Sequence, residues 1–193
     1  IYKTSNGGAT WSLKQSGPFN IIVASEAQPE VLYAGTSGST GRVWRSKDSG
    51  ETWTALTSIL PTSGVNRVEL ATSPQDSNYV YAVYSESGTS NFAGLYVSTD
   101  GGDTWTQKSN SPNLLGSNIN GSSPTGQGWY DLAITVSPTN KDQVFVGGVN
   151  VFRSNNQGAT WIAVASGYGQ GGLDYVHPDI HFFGWQPNTN HLY

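Results

Sequence analysis

One eight-residue pattern occurs four times in this chain and constrains its fold more than any other feature. It reads S/T-x-D/N-x-G-x-T-W, and its copies recur at intervals of about 50 residues, which corresponds to one supersecondary unit used repeatedly. The copies span residues 4–11, 46–53, 98–105 and 154–161. Their defining residues are Asn6, Gly8 and Trp11; Asp48, Gly50 and Trp53; Asp100, Gly102 and Trp105; and Asn156, Gly158 and Trp161.

Short β-rich runs flank each copy of the pattern, and two such runs joined by a glycine-containing turn are typical of a hairpin. A second pair of strands lies upstream. In it, a strand ends at Ser25, Ser73 or Ser137, and a new strand begins after a short polar turn. The unit is therefore predicted to consist of four antiparallel strands, A to D, with the repeated pattern in the C–D turn.

Four-stranded units of about 40–50 residues are typical of β-propeller blades. No segment of ten or more residues shows a helical apolar period, so an all-β propeller of four-stranded antiparallel blades is predicted. We expect residues 1–193 to be one propeller region with whole blades at about 17–60, 61–111 and 128–166, partial blades at 1–16 and 177–193, and long loops at 109–128 and 166–176. Either this region belongs to a larger propeller, which we favour, or its ends complete one blade and close a four-bladed ring.

Each position of the pattern has a structural role that requires its residue type. Asp or Asn accepts hydrogen bonds from the turn backbone, Gly adopts a conformation closed to other residues, and Trp offers a large apolar surface to the neighbouring blade. Two copies carry Asn6 and Asn156 where the others carry Asp48 and Asp100. A catalytic acid or a calcium ligand does not normally tolerate that exchange, so the repeats are interpreted as turn clamps.

With these four motifs the chain resembles the Asp-box, or BNR-repeat, β-propellers. That group includes sialidases, sortilin-type receptor domains, xyloglucan-degrading glycoside hydrolases and many secreted bacterial surface proteins. The motif is shared by enzymes and non-enzymes, so the resemblance implies the fold and does not select a function. The ending, residues 175–181 followed by Pro187 and Leu192-Tyr193, also resembles blades of large secreted proteins of the Bacteroidetes type. Both resemblances imply a secreted or cell-surface location.

Composition excludes several classes of function. The net charge of −4 and the absence of a basic cluster argue against nucleic acid as a partner. Because Cys is absent, disulfides and thiolate zinc sites are impossible. No long apolar run is visible, so membrane insertion is not expected, and no cofactor is expected.

The candidate site lies on the face that carries the B–C and D–A loops, opposite the Asp boxes, where the resemblance places the active sites of Asp-box enzymes. Long loops are often functional, and the segment 85–93 is a third candidate loop that adjacent blades would bring near the other two. Candidate ligand-binding residues are Trp129, Tyr130, Tyr168, Tyr175, His177 and His181, and candidate catalytic residues are Asp131, Asp174 and Asp179. The alternative is that the aromatic residues only fill gaps between blades.

The segment His177-Pro178-Asp179-Ile180-His181 has a second interpretation. On a strand, His177, Asp179 and His181 point to one side, where they are weak candidates for a metal or acid–base cluster completed by Asp131 or Asp174. The alternative is a buried hydrogen-bond network around the central channel.

Two functions remain open. A sialidase needs an arginine cluster for the substrate carboxylate, and the four arginines of this chain provide no convincing triad. A xyloglucanase-like glycoside hydrolase needs two opposed carboxylates, which the three aspartates could supply. We favour a non-catalytic extracellular module with a binding or structural role, and keep the hydrolase as the alternative. The expected partner is a glycan or an extracellular protein, together with further propeller blades in the same or an associated chain.

Overall fold

The computed structural model describes residues 1–187, 189 and 191–193, and it is all-β except for one short 3-10 helix. No helix among these residues is long and apolar enough to cross a membrane. The elements are β1 (Tyr2–Lys3), β2 (Ser12–Leu13), β3 (Phe19–Ala24), β4 (Leu32–Thr36), β5 (Val43–Ser46), β6 (Thr54–Leu56), β7 (Val65–Thr72), β8 (Val80–Glu86), β9 (Phe92–Ser98), β10 (Thr106–Ser109), β11 (Ala133–Ser137), β12 (Asn140–Gly147), β13 (Asn150–Ser154), β14 (Ile162–Ser166) and the helix Gln170–Gly172.

The strands form three four-stranded sheets, β3–β6, β7–β10 and β11–β14, preceded by the two-stranded pair β1–β2. Every pairing is antiparallel between strands consecutive in sequence, which confirms the predicted unit. The partial blade at 177–193 stays a prediction, since no strand is assigned to its described residues. Gly184 and Tyr193 nevertheless exchange both backbone hydrogen bonds at 2.8 Å, beside an antiparallel bridge between Trp185 and Leu192.

Two clusters of buried apolar side chains occupy the spaces between the sheets. One cluster joins the first and second sheets and includes Tyr33, Val68 and Trp105. The other joins the second and third sheets and includes Tyr81 and Phe152. Each sheet is therefore stabilised by burial of apolar area against its neighbour, as in a propeller.

The Asp boxes form the turn clamps that the sequence predicts. In the second box, Asp48 accepts hydrogen bonds from the Thr52 backbone N–H at 2.9 Å and from the Thr52 hydroxyl at 2.6 Å. Ser46 Oγ accepts the Gly50 N–H at 2.8 Å and donates to Asp48 at 2.7 Å. Gly50 has φ 83, in the left-handed region that glycine tolerates best.

The Asn boxes keep this geometry by reversing one hydrogen bond. Asn156 Oδ1 accepts the Thr160 N–H at 2.9 Å, and Asn156 Nδ2 donates to the Thr160 hydroxyl at 2.9 Å. In the Asp boxes the corresponding hydroxyl donates instead. Because a hydroxyl can donate or accept, the threonine makes carboxylate and amide interchangeable at this position.

The box tryptophans contact the preceding sheet. Trp105 of the second sheet is 5% exposed in the core that it shares with the first, and Trp161 packs edge to face on Phe92 at a centroid distance of 6.4 Å. Trp11, which has no sheet before it in this chain, is 61% exposed. The boxes thus stabilise both their own turn and the contact between blades.

Candidate functional site

The three candidate loops pack against one another on the face opposite the Asp boxes. Asn113 Nδ2 donates to Asn91 Oδ1 at 2.6 Å, and the Gly126 N–H donates to the Thr89 carbonyl at 2.9 Å. The Ile119 N–H donates to the Gln170 side-chain oxygen at 3.2 Å, which joins segment 109–128 to segment 166–176. The loops therefore form an ordered cap, anchored in the core by the buried side chains of Leu114 and Leu115.

Arg67, at the start of the inner strand β7, holds the segment that leads into β11. Its Nη1 donates to the Tyr130 carbonyl at 2.5 Å and its Nη2 to the Leu132 carbonyl at 3.4 Å. The same guanidinium forms an ion pair with buried Glu69 at 2.8 Å, and Asn20 of β3 donates to Glu69 at 2.8 Å. This polar network fixes the inner strands of three sheets relative to one another.

Asp131 lies between the two carbonyl groups that Arg67 holds, and its side chain is fully buried. Neither of its carboxyl oxygens forms a hydrogen bond of normal geometry with the described residues. The pKa of Asp131 is raised to about 7, chiefly by burial and also by the nearby charge of Asp179, while backbone N–H groups and Arg67 act in the opposite direction. At neutral pH this carboxyl group is therefore held near its point of half-protonation.

An exposed group of rings, here called the aromatic cluster, adjoins Asp131 and consists of Trp129, Tyr130 and His181. The Trp129 and Tyr130 ring centroids are 5.4 Å apart, and His181 meets the Tyr130 ring edge to face at 4.8 Å. Trp129 is 64% exposed and Tyr130 is 45% exposed. Trp129 therefore leaves most of its surface available for a ligand, and Tyr130 leaves somewhat less than half.

The other candidates lie on segment 166–176. Tyr168, Asp174 and Tyr175 are all exposed, and the Asp174 carbonyl accepts the Ser166 N–H at 3.0 Å. No hydrogen bond or ring contact among the described residues joins them to the aromatic cluster. The structure thus groups Asp131, Asp179 and the aromatic cluster, and leaves these three residues outside that group.

The expected arrangement of His177, Asp179 and His181 on one side of a strand is wrong. Asp179 has φ 73, a left-handed conformation that interrupts the alternation of an extended strand. His181 contacts Tyr130, while a His177 ring nitrogen pairs with the Pro178 carbonyl. All three side chains are exposed, so the buried network does not form either. In the described part of the chain, no three His, Cys, Asp or Glu residues are grouped to hold a metal ion.

Glu69 and Asn20 belong to the polar network beside the candidate site, and the sequence analysis did not predict them. One signal for Glu69 was present, because Arg67 and Glu69 are two residues apart on a predicted strand and so share a face. Asn20 lies on another blade, and its contact with Glu69 depends on how the sheets pack.

Comparison with known proteins identifies relatives that share the Asp-box fold. Residues 1–114 match the family model described as Sortilin-Vps10, sortilin, neurotensin receptor 3. The chain belongs to this family. A xyloglucanase of Hypocrea jecorina is 32% identical to it, over 72% of this chain and 18% of the xyloglucanase. The chain thus spans about a fifth of the length of that relative.

Solved structures show the same fold. The chain superimposes on a GH74 enzyme of Niastella koreensis with a TM-score of 0.55 and 24% identity, covering 84% of this chain and 26% of the enzyme. It superimposes on the NanB sialidase of Streptococcus pneumoniae with a TM-score of 0.52 and 13% identity, covering 79% of this chain and 25% of the sialidase. These likenesses establish the fold alone, and with the family match they confirm the resemblance to Asp-box propellers.

Proposed function

We propose that this chain is an extracellular propeller module that binds a polysaccharide on its loop face. The observation that carries the proposal is the aromatic cluster, three exposed rings beside Asp131 and the exposed carboxylate of Asp179. Flat rings cover the apolar face of a sugar, and neighbouring carboxyl and imidazole groups bond its hydroxyls. The 32% identity to a xyloglucanase supports a β-glucan such as xyloglucan as the ligand.

The backbone beside the aromatic cluster is held in place, which supports this proposal. Arg67 fixes the backbone on both sides of Asp131, and the Tyr130 ring is held by contacts with Trp129 and His181. Rings that are already oriented lose less conformational entropy when a ligand binds. A polysaccharide ligand also agrees with a secreted or cell-surface location.

Calorimetric titration with xyloglucan oligosaccharides tests the proposal. Trp129→Ala should weaken binding by about tenfold, because it removes a ring whose burial against a sugar contributes about 1.4 kcal/mol or more. Trp11→Ala is the matched control, since Trp11 is about equally exposed but lies in an Asp box on the other face. Equal affinity of Trp129→Ala and wild type, or no binding by the wild type at millimolar concentration, would refute the proposal.

Glycoside hydrolysis is the second candidate, and the pKa of Asp131 favours it. A general acid that acts near neutral pH needs a carboxyl group with a pKa raised towards 7, and burial gives Asp131 a pKa of about 7. Asp179 is the second carboxylate nearby. Because the Asp131 side chain is enclosed, this function also requires that a bound glycan displaces the residues that cover it.

An assay for reducing ends released from xyloglucan separates the two candidates. If Asp131 is the acid, Asp131→Asn should abolish release while oligosaccharide binding persists. Glu30→Gln, a carboxylate change on the Asp-box face, should remain active. A wild type that binds xyloglucan without releasing reducing ends would exclude hydrolysis and leave the binding function intact.

A further inference from the structure

A cavity of about 720 Å³ opens where the A–B turns of successive blades meet. Its lining includes Glu26, Pro74, Pro138, Trp185 and Pro187. These turns lie beside the Asp boxes, as shown by hydrogen bonds from box N–H groups to carbonyl groups of the A–B turns. The cavity is therefore on the face opposite the aromatic cluster, and we call it the turn-face cavity.

The repeat makes one lining residue unusual. In the first three blades the inner strand ends at a serine, and the residue after it is Glu26, Pro74 or Pro138. A carboxylate thus replaces a proline at one of three equivalent positions around the cavity. Glu26 is exposed, and it forms no hydrogen bond or ion pair with any described residue. Among the described lining residues it is the one with an ionisable side chain.

Another part of the cavity wall is an oriented aromatic ring, the indole of Trp185. Trp185 is half-buried, and its indole N–H donates to Thr135 Oγ1 at 2.9 Å. Phe145 packs edge to face against it at a centroid distance of 5.7 Å. These two contacts fix the plane of the indole, so its remaining surface is a preformed part of the cavity wall.

We propose that the turn-face cavity binds a basic side chain, lysine or arginine, presented by a protein partner. The indole attracts a cation through its ring face, the proline rings contact the methylene stem, and Glu26 supplies the opposite charge. The net charge of −4 attracts a basic partner over a longer range. The volume lies within the range of about 300–1,000 Å³ that ligand sites occupy, so residues flanking the basic side chain can also enter.

This site is independent of the polysaccharide site. Its residues come from the A–B turns and the last segment, and none belongs to the aromatic cluster or to the loop cap. Trp129→Ala should therefore leave binding at the turn-face cavity unchanged, and failure of either proposal does not affect the other.

Nuclear magnetic resonance titration with three capped amino acids provides the test. The probes are N-acetyl-arginine amide, N-acetyl-lysine amide, and N-acetyl-citrulline amide, which is a neutral isostere of the arginine probe. The two cationic probes should shift the Trp185 indole N–H resonance with millimolar affinity, and the citrulline probe should bind at least about fivefold more weakly. Equal binding of the arginine and citrulline probes would overturn the proposal.

Three variants locate the charge. Glu26→Gln and Glu26→Pro should each weaken binding of the arginine probe by about fivefold or more. The second substitution introduces the residue that the next two blades carry at this position. Glu30→Gln is the matched control, because it removes an exposed carboxylate from the same turn outside the described lining of the cavity. Equal loss in Glu26→Gln and Glu30→Gln would show only a general charge effect and overturn the site. A Trp185 shift caused by xyloglucan oligosaccharides but not by the cations would assign the cavity to sugars instead.

Discussion

The unfolding free energy of Asp131→Asn relative to wild type should increase as the pH rises. The unfolded chain loses the Asp131 proton near the ordinary pKa of 3.8, whereas the folded protein keeps it until about pH 7. Between these values the folded state binds more protons than the unfolded state, so wild-type stability falls as the pH increases. Asparagine does not titrate, so the variant lacks this contribution.

The magnitude follows from the difference between the two pKa values. That difference is about three pH units, and each unit corresponds to about 1.4 kcal/mol, which gives an upper value of about 4 kcal/mol. Small movements that admit water to a buried carboxylate reduce this cost. We therefore expect the stability of Asp131→Asn relative to wild type to rise by about 2–4 kcal/mol between pH 4 and pH 8.

Urea unfolding of both proteins at intervals from pH 4 to pH 8 measures this difference. Asp174→Asn is the control, because it makes the same chemical change at an exposed aspartate outside the candidate group of residues. A carbon-13 titration of the Asp131 carboxyl group reports its pKa directly. A stability difference that is constant with pH would mean that folding does not change the pKa of Asp131, and one that grows towards acid pH would mean that Asp131 is ionised and paired. Either result would refute the reasoning.

Two further predictions concern the Asp boxes. Hydrogen bonds from Thr104 and Ser98 outweigh burial and lower the pKa of Asp100 to about 2, so its stabilisation is present above about pH 4 and is lost as the pH falls to about 2. Asp100→Asn should remove this loss of stability at acid pH, and Asn156→Asp should introduce a similar loss at the fourth box. Urea unfolding midpoints measured from pH 2 to pH 5 test both changes, and midpoints that fall with pH as in wild type would contradict the prediction. Trp105→Ala should lower the unfolding free energy by about 3–5 kcal/mol, and Trp11→Ala should lower it by less than about 1 kcal/mol. Guanidinium unfolding measures both values, and equal losses in the two variants would show that the box tryptophans do not pack between blades.

The blade could be predicted from sequence because its determinants are local. Asp48 and Thr52 are four residues apart, and their hydrogen bonds close within one turn. The exchange of Asp for Asn correctly indicated a clamp, because an amide cannot donate the carboxyl proton that a catalytic acid supplies. The reversed hydrogen bond, in which Asn156 donates to the Thr160 hydroxyl, was not predicted because it depends on atomic positions that the sequence does not show.

The candidate site was predicted less well because its contacts join distant parts of the chain. Leu115 and Asp131 both lie next to Gly148. The burial of Asp131 therefore depends on the conformation of loop 109–128, which contains Leu115 and has no regular secondary structure after Ser109. The prediction that His177 and His181 point to the same side of a strand was wrong because of the left-handed conformation of Asp179, which residue spacing does not reveal. Trp129 and Tyr130 stay predicted ligand-binding residues, and the structure shows that their rings are exposed and adjacent.

The aspartates of this chain show why residue type alone does not reveal a functional site. Asp100 receives hydrogen bonds from two hydroxyl groups and from backbone N–H groups, and its pKa falls to about 2. Asp131 is buried without a hydrogen bond of normal geometry, and its pKa rises to about 7. A carboxylate that is fully paired with donors has little capacity left for a ligand, whereas one that lacks donors gains free energy when a ligand or a proton supplies them. For this reason the repeated motifs stabilise the blades, whereas Asp131, the one buried carboxyl group among the described residues that lacks a hydrogen bond of normal geometry, draws attention to the loop face.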